Sequence, residues 1–435
     1  MIIILIIVLP LFTGLIGMRN RYFLGIDLGT TTVAAALVNH ENSVISSKSI
    51  LNFQYPEFGL DSIKRIQNGL DQNSVKKLQQ RAVLTINTLI GDIKKEAGLD
   101  CKDIDIVAIA GNTAMEMALC GYPLISLSKP PYKPSSALLF PNKTDFLPDF
   151  NLKNKELFIF PALDGFVGGD TVASIYYLDM AKRDKPIFLA DFGTNVEIVI
   201  GNKHKIYTSS APAGPAFEGG NIKFGMAAET GAIYDVKLKD GMFEFKTLED
   251  ARPRGICGSG IMSLMHELLR EKVVDRNGRI LPPDLIDSES YSVIDVKNGR
   301  QEVVLYFDDK INMRFFQEDV RQFQLAKSAV KSAAEILMEK FKIYNDDDFD
   351  VYLSGTFGSR IKPEIIDSID ILPFKGKTIN FTPDSVLSGC LKYITAKTSE
   401  REKDLRDIIK IAKNFPLSGS KLFEKHFIKN IAFLP

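Results

Sequence analysis

Residues 24–32 read LGIDLGTTT, and residues 189–197 read LADFGTNVE. Each stretch is a short apolar run that ends in Asp, one apolar residue, Gly and Thr. A second apolar run follows each Gly-Thr step, and two such runs around a tight turn are typical of a β-hairpin. The chain therefore contains the same predicted hairpin twice, which indicates a duplicated structure.

The segments that follow each hairpin also correspond in type. Residues 74–98 have apolar residues at helical spacing, and residues 105–115 read as a buried strand that enters a glycine turn and a helix. In the second part, residues 255–272 read as a glycine turn and a helix, residues 315–344 as a long amphipathic helix, and residues 350–361 as a strand entering a glycine turn. The order predicts two α/β halves, with the two D-x-G-T turns at corresponding points.

The length and composition fit such a division. The chain has 435 residues, of which 45% are apolar and 25% charged, and this is the composition of a globular protein with two or three domains. We place the first half at residues 18–186 and the second at residues 187–435, with a polar, strand-rich insertion near residues 273–312 and a helical C-terminal tail. The net charge is zero, so no electrostatic argument favours nucleic acid as a partner.

Residues 1–17 read MIIILIIVLPLFTGLIG and carry no charge. This apolar leader is just long enough for a marginal transmembrane helix. It predicts either a membrane anchor or, if Met18 is the true start, a reading-frame artefact. Arg19 and Arg21 follow the apolar run, so both alternatives leave the remainder of the chain in the cytoplasm.

The four cysteines lie at positions 101, 120, 257 and 390, and no two are within five residues of each other. This spacing excludes a local C-x-x-C motif for zinc or an iron–sulfur cluster, and it indicates a reducing compartment. Cys257 lies in GICGSG, and the nearest histidine in sequence on that side is His266. We therefore interpret Cys257 as a small buried residue rather than a nucleophile.

The two turns have the chemistry of a nucleotide clamp. A tight turn of Gly and Thr directs several backbone N–H groups and hydroxyls at one point, where they can hold phosphate oxygens. Asp27 and Asp191 end the preceding strands and are the predicted Mg²⁺ ligands and catalytic carboxylates, because Mg²⁺ takes a few carboxylates plus waters. The predicted phosphate contacts are Gly29, Thr30, Thr31, Gly193, Thr194 and Asn195.

Further site residues follow from the glycine-rich segments. Asp170 either orients the attacking water or caps a helix that begins at Thr171. Glu218 and Lys223 either reach a ribose or belong to a solvated face. The remaining predicted nucleotide contacts are Gly219, Gly258, Gly355, Thr356, Phe357 and Gly358, where Phe357 has core packing as its alternative. The chain has no P-loop motif, and GGD at residues 168–170 is not a dinucleotide-binding fingerprint.

Five motifs in this order resemble the phosphate-1, connect-1, phosphate-2, connect-2 and adenosine motifs of the actin, sugar-kinase and heat-shock chaperone ATPase superfamily. In chain order, they are the first D-x-G-T turn, GNTAM, the second D-x-G-T turn, GICGSG and LSGTFGSR. Within that superfamily, four stretches resemble the ATPase portion of the reductive activators of corrinoid proteins. These stretches are residues 208–233, 255–261 and 315–330 and the C-terminal LFEKHFIKNIAFLP, and the resemblance covers about residues 20–435.

The resemblance implies an α/β fold of duplicated ribonuclease-H-like halves with a nucleotide cleft between them. It also implies a dimeric ATPase that uses ATP and Mg²⁺ to support the transfer of one electron to cob(II)alamin in a corrinoid protein, which regenerates cob(I)alamin for methyl transfer. In that family the electron passes through an iron–sulfur domain. The dispersed cysteines predict no such cluster in this chain, so a separate iron–sulfur donor is expected as a partner.

Two alternatives share the same ATP site. One is an ATP-dependent regulator, in which closure of the halves around the nucleotide signals to a partner. The other is a small-molecule kinase, although the sequence shows no convincing set of residues for a sugar acceptor.

Overall fold

A computed structural model describes residues 21–55, 57–59, 61–134, 143–355 and 361–433. The apolar leader, Met18 and the predicted nucleotide contacts Thr356, Phe357 and Gly358 lie outside the described residues. Across the described residues, no helix is both long and apolar enough to cross a membrane.

The first half is built on a five-stranded sheet. In chain order its strands are β1 (Tyr22–Leu28), β2 (Thr32–Asn39), β3 (Val44–Leu51), β4 (Ile104–Gly111) and β5 (Glu156–Ile159). Their spatial order is β3-β2-β1-β4-β5. The first three strands are antiparallel neighbours, whereas β4 and β5 run parallel to β1. The D-x-G-T turn joins the central strand β1 to β2.

The second half repeats this sheet. Its strands are β6 (Ile187–Phe192), β7 (Val196–Asn202), β8 (Lys205–Ala211), β15 (Asp350–Gly355), β16 (Ile379–Phe381) and β17 (Ala412–Asn414). The spatial order is β16-β15-β6-β7-β8-β17, which matches the first sheet strand for strand once the added edge strand β17 is set aside. The strand directions also match. The predicted duplicated ribonuclease-H-like fold is therefore confirmed.

Two small sheets lie between β8 and β15. One contains β9 (Ala232–Lys239), β10 (Met242–Thr247) and β11 (Gly255–Ile256), and the other contains β12 (Ile294–Lys297), β13 (Arg300–Phe307) and β14 (Asn312–Phe315). The second of these sheets occupies the segment that the sequence analysis describes as a strand-rich insertion. The boundary at residues 186 and 187 stays a prediction.

The described helices follow the predicted periodicity. They are α1 (Ser62–Gln67), α2 (Gln72–Ala97), α3 (Thr113–Leu119), α4 (Gly169–Tyr177), α5 (Gly258–Arg270), α6 (Gln317–Phe341), α7 (Pro363–Ser368), α8 (Ser385–Thr395), α9 (Thr398–Ile411) and α10 (Lys421–Lys429). Helix α2 shows why such segments begin and end where they do. The side chain of Asp71 accepts hydrogen bonds from the N–H groups of Asn73 and Ser74, and Gly98 ends the helix in the left-handed conformation.

Helices α4 and α8 lie in a buried core that both sheets share. This core contains Phe23 and Ala108 from the first sheet, Leu189 and Val199 from the second, and Cys390 from α8. Helix α8 follows β16 of the second half, yet it packs on β1 and β4 of the first half. Consequently, the two halves are held together by helices that pack across them.

The approach of α8 to its neighbours is close enough to require glycine. A Cβ atom on Gly389 would overlap with the backbone carbonyl of Ala173 in α4. A Cβ atom on Gly25 of β1 would lie 2.9 Å from the side chain of Leu391 in α8. The absence of side chains at these two positions therefore sets the distance between α8, α4 and the first sheet.

Candidate functional site

The two aspartates of the D-x-G-T turns face the space between the sheets. Side chains alternate along a strand, so Asp27 lies on the same face of β1 as Phe23, and Asp191 lies on the same face of β6 as Leu189. Phe23 and Leu189 both belong to the core that the two sheets share. The duplication therefore directs both carboxylates inward, towards α4 and α8.

Asp170 joins the two aspartates in one electrostatic cluster. Burial raises the pKa of Asp27 well above its usual value, and the charges of Asp170, Asp191 and Asp384 raise it further. Burial also raises the pKa of Asp191 to about 7, with a further contribution from Asp170 and an opposing one from a hydrogen bond with Ser354. Asp27, Asp170 and Asp191 each keep part of their surface exposed, as residues that receive a ligand must.

The interpretation of Asp170 as a helix cap is wrong. Helix α4 begins at Gly169, with Gly168 as the N-cap, so Asp170 lies inside the first turn. Its carboxylate accepts a hydrogen bond of 2.6 Å from the N–H of Thr171. Burial raises the pKa of Asp170 to about 6, and the hydrogen bonds from Thr171 oppose that shift. Helix α4 can begin at this point because Gly168 and Gly169 pack closely against neighbouring residues, where larger side chains would not fit.

Those glycines pack against the connect-1 turn of the first half. A Cβ atom on Gly168 would lie 2.5 Å from the Cα atom of Asn112, and one on Gly169 would overlap with a carboxylate oxygen of Glu116. Glu116 is 1% exposed and accepts a 3.2 Å hydrogen bond from the N–H of Gly111, together with one from Gly169. Glu116 thus positions the start of α4, the helix that carries Asp170. The sequence analysis missed this role.

Glu197 is a second acidic residue that the sequence analysis missed. It lies on β7 directly opposite Asp191, on the same face, whereas the position opposite Asp27 in the first hairpin is Ala34. Ser210 donates a 3.0 Å hydrogen bond to Glu197. Burial raises the pKa of Glu197 well above its usual value, and Asp170 and Asp191 add to the effect. In the sequence, the one indication of this role was that Glu197 is an ionisable residue inside an otherwise apolar strand.

The first turn is held by polar side chains from distant parts of the chain. Asn112, in the GNT motif, donates a 2.8 Å hydrogen bond to the hydroxyl of Thr30, and Ser62 lies 3.3 Å from the same oxygen. The amide of Asn52 donates to the carbonyl of Gly29 at 2.9 Å. The N–H of Asn52 donates to the carbonyl of Thr31 at 2.8 Å. The structure therefore brings the phosphate-1 and connect-1 motifs together.

The second turn has different surroundings. The N–H of Gly193 donates to the carbonyl of Asn195 at 3.0 Å, and the hydroxyl of Thr194 donates to Glu218 at 2.7 Å. Burial raises the pKa of Glu218, and the hydrogen bond from Thr194 opposes this. The side chain of Glu218 thus lies beside the second turn, whereas Lys223 is exposed.

Of the other predicted contacts, Gly355 lies nearest to the second turn. It pairs with Phe192, which directly precedes Gly193, and its φ of +97° together with the overlap that a Cβ atom would make with the carbonyl of Phe192 requires glycine. Gly219 also has positive φ, at +87°. Gly258 is the buried first residue of α5.

The preceding Cys257 agrees with its interpretation as a small structural residue. It is 2% exposed. Its thiol lies 3.3 Å from the carbonyl of Ile233 and 3.4 Å from the hydroxyl of Ser259.

The donor set at the two turns fits Mg²⁺. Within the described part of the chain, no three His, Cys, Asp or Glu side chains converge into a metal site of their own. Mg²⁺ does not require one, because it usually binds through one or two carboxylates while waters and phosphate oxygens complete its shell. Asp27 and Asp191, two inward-facing carboxylates beside turns that can hold phosphate, meet that requirement.

A cavity of about 600 Å³ lies elsewhere, between the β9–β10 hairpin and the end of α5. Arg270 lines it and is already paired with Glu267 at 2.5 Å and Glu271 at 2.6 Å. Because Arg270 is engaged with these two carboxylates, it is not available to a ligand, and this cavity gives less reason to expect one than the carboxylate cluster between the sheets.

Comparison with known proteins agrees with this geometry. The chain is 29% identical over 423 residues to the corrinoid activation enzyme RamQ of Eubacterium limosum, a match that covers 95% of this chain and 70% of RamQ. It is 23% identical over 309 residues to the [Co(II) methylated amine-specific corrinoid protein] reductase of Methanosarcina barkeri, where the match covers 65% of this chain and about half, 52%, of that protein.

A solved structure extends the comparison to three dimensions. The reductive activator for corrinoid, iron–sulfur protein superimposes with a TM-score of 0.81 at 27% identity, and the match covers 96% of this chain and 67% of that one. Residues 22–183 match the family described as the RACo middle region, and residues 185–435 match the C-terminal domain of RACo, the ASKHA domain. The chain therefore belongs to the RACo family, and its second part is the actin-like ATPase domain of that family.

Proposed function

We propose that this chain is a Mg²⁺-dependent ATPase that supports the reductive reactivation of a corrinoid protein, with the electron supplied by a separate iron–sulfur protein. The observation that carries the proposal is the pair of equivalent hairpin turns, whose aspartates face one carboxylate cluster between the two sheets. The names of the relatives supply the corrinoid protein as the partner.

The two turns would hold the phosphates of ATP from opposite sides. Gly29 and Gly193 give the phosphate oxygens access to the backbone N–H groups, and the hydroxyl of Thr30, which accepts from Asn112, adds a donor. Asp27 and Asp191 would hold Mg²⁺, which when bound neutralises charge on the phosphate oxygens. Because catalysis of phosphoryl transfer is mainly positioning and charge stabilisation, this arrangement needs no protein nucleophile.

Asp170 is the residue that we propose to orient the attacking water. It belongs to α4 and is coupled electrostatically to the aspartates of both turns. Its pKa of about 6 leaves most of the carboxylate ionised at neutral pH, so it can accept a hydrogen bond or a proton from water. Glu116 keeps the loop before Asp170 in place through the N–H of Gly169.

The division into halves becomes part of this proposal. We propose that residues 18–186 and residues 187–435 move relative to each other when ATP binds, and that this motion is transmitted to the partner. A homodimer, as in the resembling family, is part of the same proposal. The four cysteines of the sequence are too dispersed to hold a cluster, which is why the electron donor is placed in a second protein.

The direct test measures ATP hydrolysis with and without a corrinoid protein in the cob(II)alamin state, together with a low-potential iron–sulfur donor. We expect the corrinoid protein to stimulate hydrolysis and cob(I)alamin to appear in the absorbance spectrum only when ATP is present. The same corrinoid protein in the methylcob(III)alamin state is the control, because it needs no reactivation.

Two other results would contradict the activator function. Tight ATP binding without turnover under all conditions would favour the ATP-dependent regulator. Stimulation by a small metabolite, with no response to the corrinoid protein, would favour a kinase of the same superfamily.

Substitution of Glu197 by Gln should lower ATP turnover about tenfold and leave the KM for ATP within about threefold, because an ionisable group beside Asp191 is lost while its shape is kept. The measurement is steady-state hydrolysis at saturating Mg²⁺. Substitution of Glu302, an acidic residue of β13 that pairs with Arg314 at 3.1 Å, by Gln is the control and should leave turnover unchanged. Equal rates of ATP hydrolysis in the Glu197→Gln variant and the unaltered protein would show that Glu197 takes no part in hydrolysis.

A further inference from the structure

Arg65 is a buried arginine behind the first turn. It is 1% exposed and is among the largest fully buried side chains of the described chain. Its Nε donates to the carbonyl of Gly59 at 2.9 Å, Nη1 donates to the amide oxygen of Gln54, and Nη2 donates to the carbonyl of Thr30 at 3.1 Å. One of its three partners is therefore the backbone of the predicted phosphate-1 turn itself.

The positive charge of Arg65 has only neutral oxygens as partners. Within the described residues, no carboxylate lies within ion-pair distance of the guanidinium, and Asp61 acts on it only from further away. Burial lowers the pKa of Arg65 to about 10, so the side chain stays protonated at neutral pH. A buried charge without a counter-charge is costly, and proteins normally pair such groups.

Other buried cations of this chain follow the usual rule. Arg401, which is 7% exposed, lies 2.9 Å from Glu156. Lys331, which is 4% exposed, lies 2.6 Å from Asp370. The surroundings of Arg65 therefore differ from those of these cations, and the difference occurs directly behind a turn that can hold an anion.

Two buried amide side chains connect the surroundings of Arg65 to the first turn. Asn52 and Gln54 are both 0% exposed, and Asn52 donates to the carbonyl of Gly29 while Gln54 receives the guanidinium. Gln54 also donates to the carbonyl of Leu78 in α2 at 2.9 Å. A satisfied buried polar network of this kind fixes its members in one arrangement. Arg65 is thus held against the turn rather than free to turn towards solvent.

The second turn has acidic residues beside it instead of a cation. Thr194 donates to the carboxylate of Glu218, and Glu197 lies opposite Asp191. The two turns therefore share a sequence pattern but differ in their surroundings, because a cation contacts the backbone of the first and acidic side chains lie beside the second. A polyphosphate chain suits this arrangement, since the charge of Arg65 favours its anionic oxygens at the first turn while Asp27 and Asp191 would hold the accompanying divalent cation.

We propose that Arg65 is a positioning residue of the first turn whose buried positive charge makes the site selective for ligands with several phosphate charges over the same nucleoside without them. The inference rests on the nucleotide site of the proposed function and extends it to a specificity determinant. Arg65 does not touch the ligand in this account. It holds the carbonyl of Thr30, and its charge acts through the turn.

The test compares the binding of ATP, AMP and adenosine to the full chain by calorimetry. For Arg65→Gln we expect ATP to bind about tenfold more weakly, AMP about threefold more weakly and adenosine with unchanged affinity, because one buried charge is lost near the phosphates. For Arg65→Lys, measured at pH 6 so that the buried lysine keeps its proton, ATP affinity should stay within about threefold of that of the unaltered protein at the same pH. Arg401→Gln, a buried arginine away from the turn, should leave the ratio of ATP to adenosine affinity unchanged.

Several outcomes would overturn the inference. One is an equal loss of ATP and adenosine affinity in Arg65→Gln, because that result indicates a purely structural role. Another is a loss of the ATP preference in Arg65→Lys as large as in Arg65→Gln. If Arg65→Gln does not fold, the Lys variant decides the question, since a lost preference there contradicts the role of the charge and a retained one supports it. Absence of ATP binding in the unaltered protein would overturn both the inference and the proposed function, whereas intact ATP selectivity without corrinoid stimulation would remove only the proposed function.

Discussion

The Asp191→Asn variant is expected to hydrolyse ATP at least about a hundredfold more slowly, with an ATP affinity within about threefold of the unaltered protein. Asn keeps the shape of the side chain and can still pair with Ser354, but it removes the charge that we assign to Mg²⁺ and to the transition state. The contacts of ATP through its nucleoside and with the first turn are unaffected, so the loss should appear in kcat. Single-turnover hydrolysis together with calorimetric binding separates the two quantities.

The same variant should not be less stable in metal-free buffer. Burial and Asp170 raise the pKa of Asp191 to about 7 in the folded protein, so the charged carboxylate costs stability there. This cost is absent below about pH 4, where the group is protonated in both the folded and the unfolded chain, and it is complete above about pH 7. The thermal midpoint of Asp191→Asn should therefore equal or exceed that of the unaltered protein at pH 8, with the difference vanishing at low pH.

Asp350→Asn is the matched control for this experiment. Asp350 begins β15 and is paired with Ile187 at the other end of the same strand pair that carries Asp191. It forms an ion pair with Lys185 at 2.8 Å. ATP turnover should be unchanged in this variant. If Asp191→Asn retained full turnover, the carboxylate cluster between the sheets would not be the site of hydrolysis.

Substitution of Gly389 by Ala is expected to lower the free energy of unfolding by about 1–3 kcal/mol, which reverses the usual effect of this change. Gly to Ala inside a helix normally stabilises by about 1 kcal/mol, because Ala loses less backbone entropy. At Gly389 the new Cβ atom would overlap with the backbone carbonyl of Ala173, and backbone cannot move aside as a flexible side chain can. Helix α8 must then shift away from α4 and lose buried contacts on both sheets.

Gly91→Ala is the control with the opposite expected sign. Gly91 lies in α2, and nothing lies within 4 Å of a Cβ atom built there. This variant should be stabilised by about 0.5–1 kcal/mol. Urea unfolding of both variants measures the difference. If the free energy of unfolding rose in both variants, the contact between α4 and α8 would not be as close as described.

The sequence predicted those features that depend on neighbours in the chain. The hairpins at Asp27 and Asp191, the strand that enters the GNTAM turn and the helix that follows it, and the long helix α6 are encoded by local apolar spacing and by turn residues, which act over a few positions. The correspondence of the two halves followed from the repeated turn, and the strand order confirms it. The superfamily resemblance depended on these short motifs, and the family resemblance, which the comparisons confirm, depended on four stretches of the second half.

The site was predicted in part. Asp27, Asp170 and Asp191 are brought into one cluster, but Glu116, Glu197 and Arg65 were missed. Glu197 is marked locally only as an ionisable residue in an otherwise apolar strand, and its role follows from its pairing opposite Asp191. Glu116 is set apart only by its contact with Gly169, which is 53 residues away, that is, 169 minus 116, and no local pattern distinguishes it from an ordinary glutamate.

What the sequence by itself determined is therefore the set of local units and their duplication: two Gly-Thr turns, each after a strand that ends in an aspartate. What only the tertiary structure decided is which distant groups surround those turns. Helix α8 returns to the first sheet, Arg65 lies behind the first turn, and Glu197 and Glu218 lie beside the second. The physical reason is that burial and charge act through space, so the electrostatic difference between two turns of the same pattern arises only when the chain is folded.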